Sequence, residues 1–263
     1  MSKFRQDAKR IAASDVVSLL REVYRHGVYR REDAEALIAF DRDFSDPTAE
    51  WCSFAAHAIA DHVLRRATPI DTLDAEKAAW LTKALVPAGE AITRSGAGAL
   101  RLIAEQAREM PASFAAFVIR LLWIPPDTSH LQLVPAFTAR DATLLNKILK
   151  SAAGKLDTPV SLLEAEALFD LHDAIAAKKS HASFDTLFVR AIANYLLGEC
   201  SREKQLRSKA LARDPLRHAG EGINPESRAW LYSRIMRDGR PTAAERSLLM
   251  LIEHQVSVQR RAA

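Results

Sequence analysis

Cysteine is scarce: the 263 residues hold only Cys52 and Cys200, neither with a CxxC neighbour. That spacing argues against a disulfide framework or a thiolate metal clip, and suits small core residues in a reducing cytoplasm. Glycine is also low at nine and tyrosine at four, set against abundant alanine and leucine, which favours helices over sheets. No window approaches the roughly 18 consecutive apolar residues of a transmembrane helix. The first residues, MSKFRQDAKRIAASDVV, lack the apolar centre of a secretory signal. A cytoplasmic chain is expected.

Motifs of catalysis are missing as well. No serine sits in a GxSxG context. The glycines of SGAGAL at 95–100 follow no strand pattern and precede no Lys-Ser/Thr, so no phosphate-cradling loop is expected. No cofactor is implied. With 48% hydrophobic and 27% charged residues the composition is that of a folded globular chain, not a disordered one.

What the chain does have is a pattern used twice. Residues 32–64, EDAEALIAFDRDFSDPTAEWCSFAAHAIADHVL, and 164–197, EAEALFDLHDAIAAKKSHASFDTLFVRAIANYLL, share the order AEAL, an aromatic, AIA and a closing apolar run. Ala79-Trp80-Leu81 pairs in the same way with Ala229-Trp230-Leu231. The spacing between matched residues grows along the chain, from 131 at AEAL to 150 at AWL, which locates an insertion between Leu197 and Asn224. An all-α protein is expected, built of two diverged copies of a four- to six-helix unit: 1–124 as the first copy, 125–139 (IPPDTSHLQLVPAFT) as connector, and 140–263 as the second.

Start and stop signals place the helices. Residues 14–26, with Ser14 as cap and Gly27 as stop, predict the first, and a second begins near Arg31. Asp46-Pro47 predicts the start of a long helix through Trp51, Ala58 and Val63, broken at Thr68-Pro69. Gly96 and Gly98 weaken the beginning of the helix expected over 91–109. Pro111 opens the helix that carries Phe114 to Trp123. Ser161/Glu164 and Thr242/Glu245 read as capping boxes.

The turn Asp238-Gly239 through Glu245 lacks the ligand positions of a calcium loop, since Arg240 and Thr242 stand where oxygen ligands belong. In its helical setting, RIMRDGRPTAAERSLLMLIEHQ, this turn resembles the TerB-like helical domains associated with tellurite resistance. The pattern returns in weaker form over Gly27–Leu37, and the first copy carries Ala88-Gly89 at the matching turn. The resemblance implies an all-α domain that binds metal or belongs to a stress-response assembly.

Two groups of residues are candidates for function. His57 and Asp61 stand at i and i+4 of one helix, a spacing that presents two ligands to one metal ion, with Glu35 and Asp41 on the preceding helix as possible neighbours. The second group lies in the insertion: Arg202, Lys204, Arg207, Lys209, Arg213 and Arg217. Residues 201–263 hold 13 Lys/Arg against 7 Asp/Glu, while the first 200 hold 24 against 26, so the net charge of +4 comes from this end. Such a run can track phosphates, face an acidic partner, or form a solvated helix face without a base-stacking aromatic. The expected function is non-enzymatic protein binding or scaffolding. A TerB-like metal-binding role and nucleic-acid association through 201–217 are the alternatives.

Overall fold

The computed structural model describes residues 28–44, 46–87, 90–124, 137–176, 181–198, 206–212 and 223–262. The helix expected at 14–26, the Ala88-Gly89 turn and most of the 125–139 connector lie outside them. Eleven α-helices and no strand are present among the described residues: α1 (Arg31–Arg42), α2 (Ala49–Asp61), α3 (Ala75–Leu85), α4 (Arg94–Gln106), α5 (Ala112–Trp123), α6 (Ala139–Ala152), α7 (Leu162–Ala176), α8 (Ala182–Gly198), α9 (Arg207–Ala212), α10 (Pro225–Ile235) and α11 (Ala243–Ala262). The protein is all-α, and none of these helices is long and apolar enough to cross a membrane. The chain divides into two compact units, Met1–Phe114 and Ala115–Ala263.

In the first unit α2 is buried along most of its length, through Trp51, Phe54, Ala55, Ala56, Ala58, Ile59 and Ala60. It begins two residues later than Asp46-Pro47 predicts, because the Thr48 hydroxyl accepts from Trp51 N at 3.2 Å and takes the capping role. After Asp61 the helix widens into one π-turn, His62–Arg66, and the chain leaves through a cis Thr68-Pro69 bond. The freed carbonyls there converge on one ammonium. Lys77 Nζ donates within reach of Val63 O, Ala67 O, Pro69 O and Thr72 O, at 3.2, 2.7, 2.5 and 3.0 Å.

The most extensive helix pair of this unit is α2 with α4. Gly98 explains how they come so close: a Cβ there would stand 3.1 Å from that of Ala56. Gly96 and Gly98 both lie inside α4, capped by Thr93; close approach to α2 offsets the propensity cost of about 1 kcal/mol at Gly98, while a Cβ at Gly96 would crowd Ile92 and Thr93 of the capping turn.

The second unit packs α8 against α6, α7, α9 and α11. Its last eight residues, Ala191 to Gly198, are all buried. Both capping boxes form: Ser161 N donates to Glu164 Oε2 at 2.9 Å, and Thr242 N to Glu245 Oε2 at 2.7 Å. Gly239, at φ +76°, ends the 3₁₀ turn Met236–Asp238 in the left-handed conformation that glycine adopts without strain.

Positions paired by the sequence make like contacts in the two units. Trp80 Nε1 donates to Glu35 Oε1 at 2.7 Å, and Trp230 Nε1 donates to Glu166 Oε1. His62 meets Trp80 edge-on at 5.8 Å between centroids, and Tyr195 meets Trp230 edge-on at 5.0 Å. Buried Asp41 bonds the capping Thr93, as buried His172 bonds the capping Thr242.

One charged cluster of the second unit is sensitive to acid. Asp170 on α7 accepts from Arg234 Nη2 at 2.8 Å and from Arg120 Nε at 2.9 Å. Burial opposes ionisation of Asp170, but these two guanidinium groups outweigh it and hold its carboxyl below the ordinary value. A depressed folded-state pKa contributes stability above the unfolded value and loses it as pH falls through the folded one. Asp170→Asn is therefore expected to flatten the acid limb of the stability profile. Urea midpoints of the two proteins, which differ at neutral pH, should converge below about pH 4.

Candidate functional site

His57 and Asp61 are both exposed on α2, and each has a local partner. His57 Nδ1 lies 2.8 Å from Ser53 O, one turn back in its own helix, while Asp61 accepts from Arg66 Nε at 3.2 Å. Glu35 and Asp41 are engaged elsewhere. Glu35 takes Trp80 and Arg31, and Asp41, buried at 3% exposure, accepts from Trp51 Nε1, Ser95 Oγ and Thr93 Oγ1 at 2.7, 2.5 and 2.5 Å. No group of three His, Cys, Asp or Glu side chains placed to hold a metal ion occurs among the described residues.

The basic run divides differently. Arg202, Lys204, Arg213 and Arg217 lie outside the described residues. Lys209 is exposed. Arg207 is not part of a solvated face: it is 1% exposed. All five of its guanidinium N–H groups are used within the unit. Nε donates to Thr158 O at 2.8 Å; Nη1 to Leu149 O and Glu164 Oε1, both at 2.6 Å; Nη2 to Pro159 O at 2.6 Å and Glu164 Oε2 at 3.0 Å. A bidentate guanidinium–carboxylate pair matches fork to fork, and no donor remains to meet a phosphate.

The local sequence explains why a charge fits there. Leu149 O belongs to the last turn of α6, where carbonyls lack intrahelical partners and a cation is favoured. The turn that follows runs through Gly154 and Asp157 with φ +60° and +48°, and turns the carbonyls of Thr158 and Pro159 to the same point. Glu164 then arrives as the third residue of α7, already bound by Ser161. Three further bonds hold α9: Ser208 N and Oγ donate to Asp157, and Arg190 Nη1 donates to Leu211 O at 3.1 Å. On the other side, α8 ends at Gly198 against Pro159, where a Cβ would overlap the proline ring.

This buried node organises a surface. Several exposed side chains lie next in sequence to residues bonded to Arg207 or to α9. Leu156 precedes Asp157 and is 82% exposed; Leu162 and Leu163 precede Glu164 and are 47% and 53% exposed; Leu206 precedes Arg207 itself and is 37% exposed. Lys150 follows Leu149 and is exposed too, as are Lys155 and Lys209. Four exposed leucines and three exposed lysines thus lie on the segments of α6, α7, α9 and the intervening turn that Arg207 ties together, which we take as the candidate site. The backbone at 149, 158 and 159 is held by Arg207, and Asp157 by Ser208. A single exposed leucine is ordinary; here four are exposed on the segments that Arg207 ties together.

Known proteins supply no parallel. No family model, curated protein or solved structure matches this chain. The site therefore stands on its own geometry. The basic run drew attention to this segment, but Leu156, Leu162 and Leu163 were missed, since they are far from it in sequence. One signal was present: Arg207 and Leu211 stand at i and i+4, so they share a helix face, and both are buried.

Proposed function

We propose that the chain is a non-enzymatic protein-binding or scaffolding module, built on a duplicated helical unit, whose contact surface is the leucine-rich junction of α6, α7 and α9. The observation that carries this reading is the exposure of Leu156, Leu162, Leu163 and Leu206 around the enclosed Arg207–Glu164 pair. A rigid set of apolar side chains that stays in water in the isolated chain gains about 25 cal/mol per Å² when a partner covers it, and fixed positions reduce the ordering cost of association. The duplication is supported by the Trp80–Glu35 and Trp230–Glu166 bonds at matched positions. In such a frame the two units keep their apolar skeleton, and the second carries the added α9. A stress-response assembly, which the TerB resemblance implies, is a setting that fits such a module.

The test is a comparison of wild type with a Leu156→Ser/Leu163→Ser variant. Both positions are half or more exposed, so the melting temperature is expected to change by no more than a degree or two. Proteins captured from native lysate by the wild type and lost by the variant would support the reading. An identical set captured by both would remove it.

A further inference from the structure

A second built feature, independent of the leucine-bearing segments, lies in the first unit: the cradle that encloses the Lys77 ammonium. Lys77 is 8% exposed, the only buried lysine among the described residues. Its place in the chain is a poor one for a cation, since it is the third residue of α3, where the helix macrodipole favours anions. Burial also pushes its amine below the ordinary value, with Asp74 opposing. What holds a charge there is backbone oxygen: Nζ stands 3.2, 2.7, 2.5 and 3.0 Å from the carbonyls of Val63, Ala67, Pro69 and Thr72. Four acceptors meet a group with three N–H, so they surround a charge and do not pair one to one with its protons. A neutral amine has only two N–H and would leave more of these oxygens unmet.

We propose that the end of α2 is a carbonyl-built site for an ammonium-sized monovalent cation, which the native chain fills with its own Lys77 Nζ. The distances suit that class of ion. Magnesium takes oxygens at about 2.0–2.1 Å and calcium at about 2.3–2.6 Å, whereas three of these four stand farther off. All four are neutral carbonyls, the kind of ligand that replaces the hydration shell of potassium. They come from one short stretch, residues 63–72, which begins in the π-turn His62–Arg66, so a single cation gathers the whole exit of the helix. At the position that the sequence pairs with Lys77 the second unit has Ser227, and there α8 runs to Gly198 without a π-turn. The site therefore belongs to the first unit alone.

The experiment removes the tethered cation and supplies a free one. Lys77→Ala, made in the full chain, vacates the space of n-propylammonium, which carries the missing carbons and the charge. The variant is expected to melt below wild type. Adding n-propylammonium chloride at about 0.2 M should raise its melting temperature by about 2–4 °C over the same concentration of tetramethylammonium, whose methyl groups bar it from the four carbonyls. Ammonium and potassium chloride should act in the same direction as n-propylammonium. Neutral n-propanol, of the same chain length, should not rescue. Wild type, with the site already filled, should not distinguish the salts.

Equal melting temperatures of the variant in n-propylammonium and tetramethylammonium overturn the proposal. Rescue by n-propanol overturns it too, since the gain would then come from filled space and not from charge. Wild type gives a reading that needs no variant to fold. With isotopically labelled lysine at about pH 7, exposed ammonium protons exchange with water too quickly to be seen by nuclear magnetic resonance. Lys77 Nζ is expected to keep a signal to three bonded protons, with through-space contacts to Val63 and Thr72. Absence of that signal, or a signal from two protons only, overturns the proposal as well. None of these results bears on the leucine variant, so this site and the protein-binding reading fail separately.

Discussion

Arg207→Met is expected to destabilise the protein by about 3–5 kcal/mol, the cost of leaving Glu164 buried without its counter-charge. Glu164 is fully enclosed and accepts from both terminal nitrogens of Arg207. The same substitution strips a donor from the carbonyls of Leu149, Thr158 and Pro159. A solvated arginine in a basic helix would behave otherwise, with changes within about 0.5 kcal/mol on substitution. Lys209→Met, two residues along and exposed, is the internal control and should fall in that range. Urea denaturation of the two variants decides between them. A double variant, Arg207→Met/Glu164→Met, should recover much of the loss, because replacing a buried ion pair by apolar side chains removes the unpaired charge. A loss under 1 kcal/mol for Arg207→Met would show that the node is open to water.

The second large effect belongs to the first unit. Asp41→Ala leaves Trp51 Nε1, Ser95 Oγ and Thr93 Oγ1 without their shared acceptor. Each buried donor left unpaired costs about 1–3 kcal/mol, so the expected loss is about 3 kcal/mol or more. Trp51 is fully buried and meets Phe40 and Phe44 edge-on at 5.5 and 5.4 Å, which prevents the indole from turning to another partner. Asp41→Asn keeps an acceptor of nearly the same shape and should lose less than half as much. Thermal unfolding followed by tryptophan fluorescence compares the two, and equal losses would show that shape, not hydrogen bonding, is what Asp41 contributes.

Both positions illustrate how far a sequence can be read. Helix type and place followed from local chemistry, because capping, glycine stops and apolar periodicity act within a few residues: Ser161 with Glu164 and Thr242 with Glu245 were visible as boxes, and both form. The start of α2 falls two residues beyond the expected one because Asp46 and Thr48 are both competent caps, and the Thr48 hydroxyl takes the bond from Trp51 N. His57 and Asp61 stood out for their spacing, yet spacing along one helix cannot show that Ser53 and Arg66 lie nearer to them than a third ligand.

Sequence alone determined that this protein is all-helical, and where capping boxes such as Ser161/Glu164 and Thr242/Glu245 start individual helices. Those properties rest on interactions between near neighbours in the chain, or on the repetition of a pattern. Tertiary structure decided what the charges do. Six basic residues in one run are alike on paper, but Arg207 closes on Glu164 and three carbonyls, 43 to 58 residues earlier in the chain, while Lys209 remains in water. It also decided that leucines at 156, 162, 163 and 206 are left exposed. The reason is the same in both cases: burial and exposure are properties of the packed interior, set by distant backbone groups that meet only when the unit is folded.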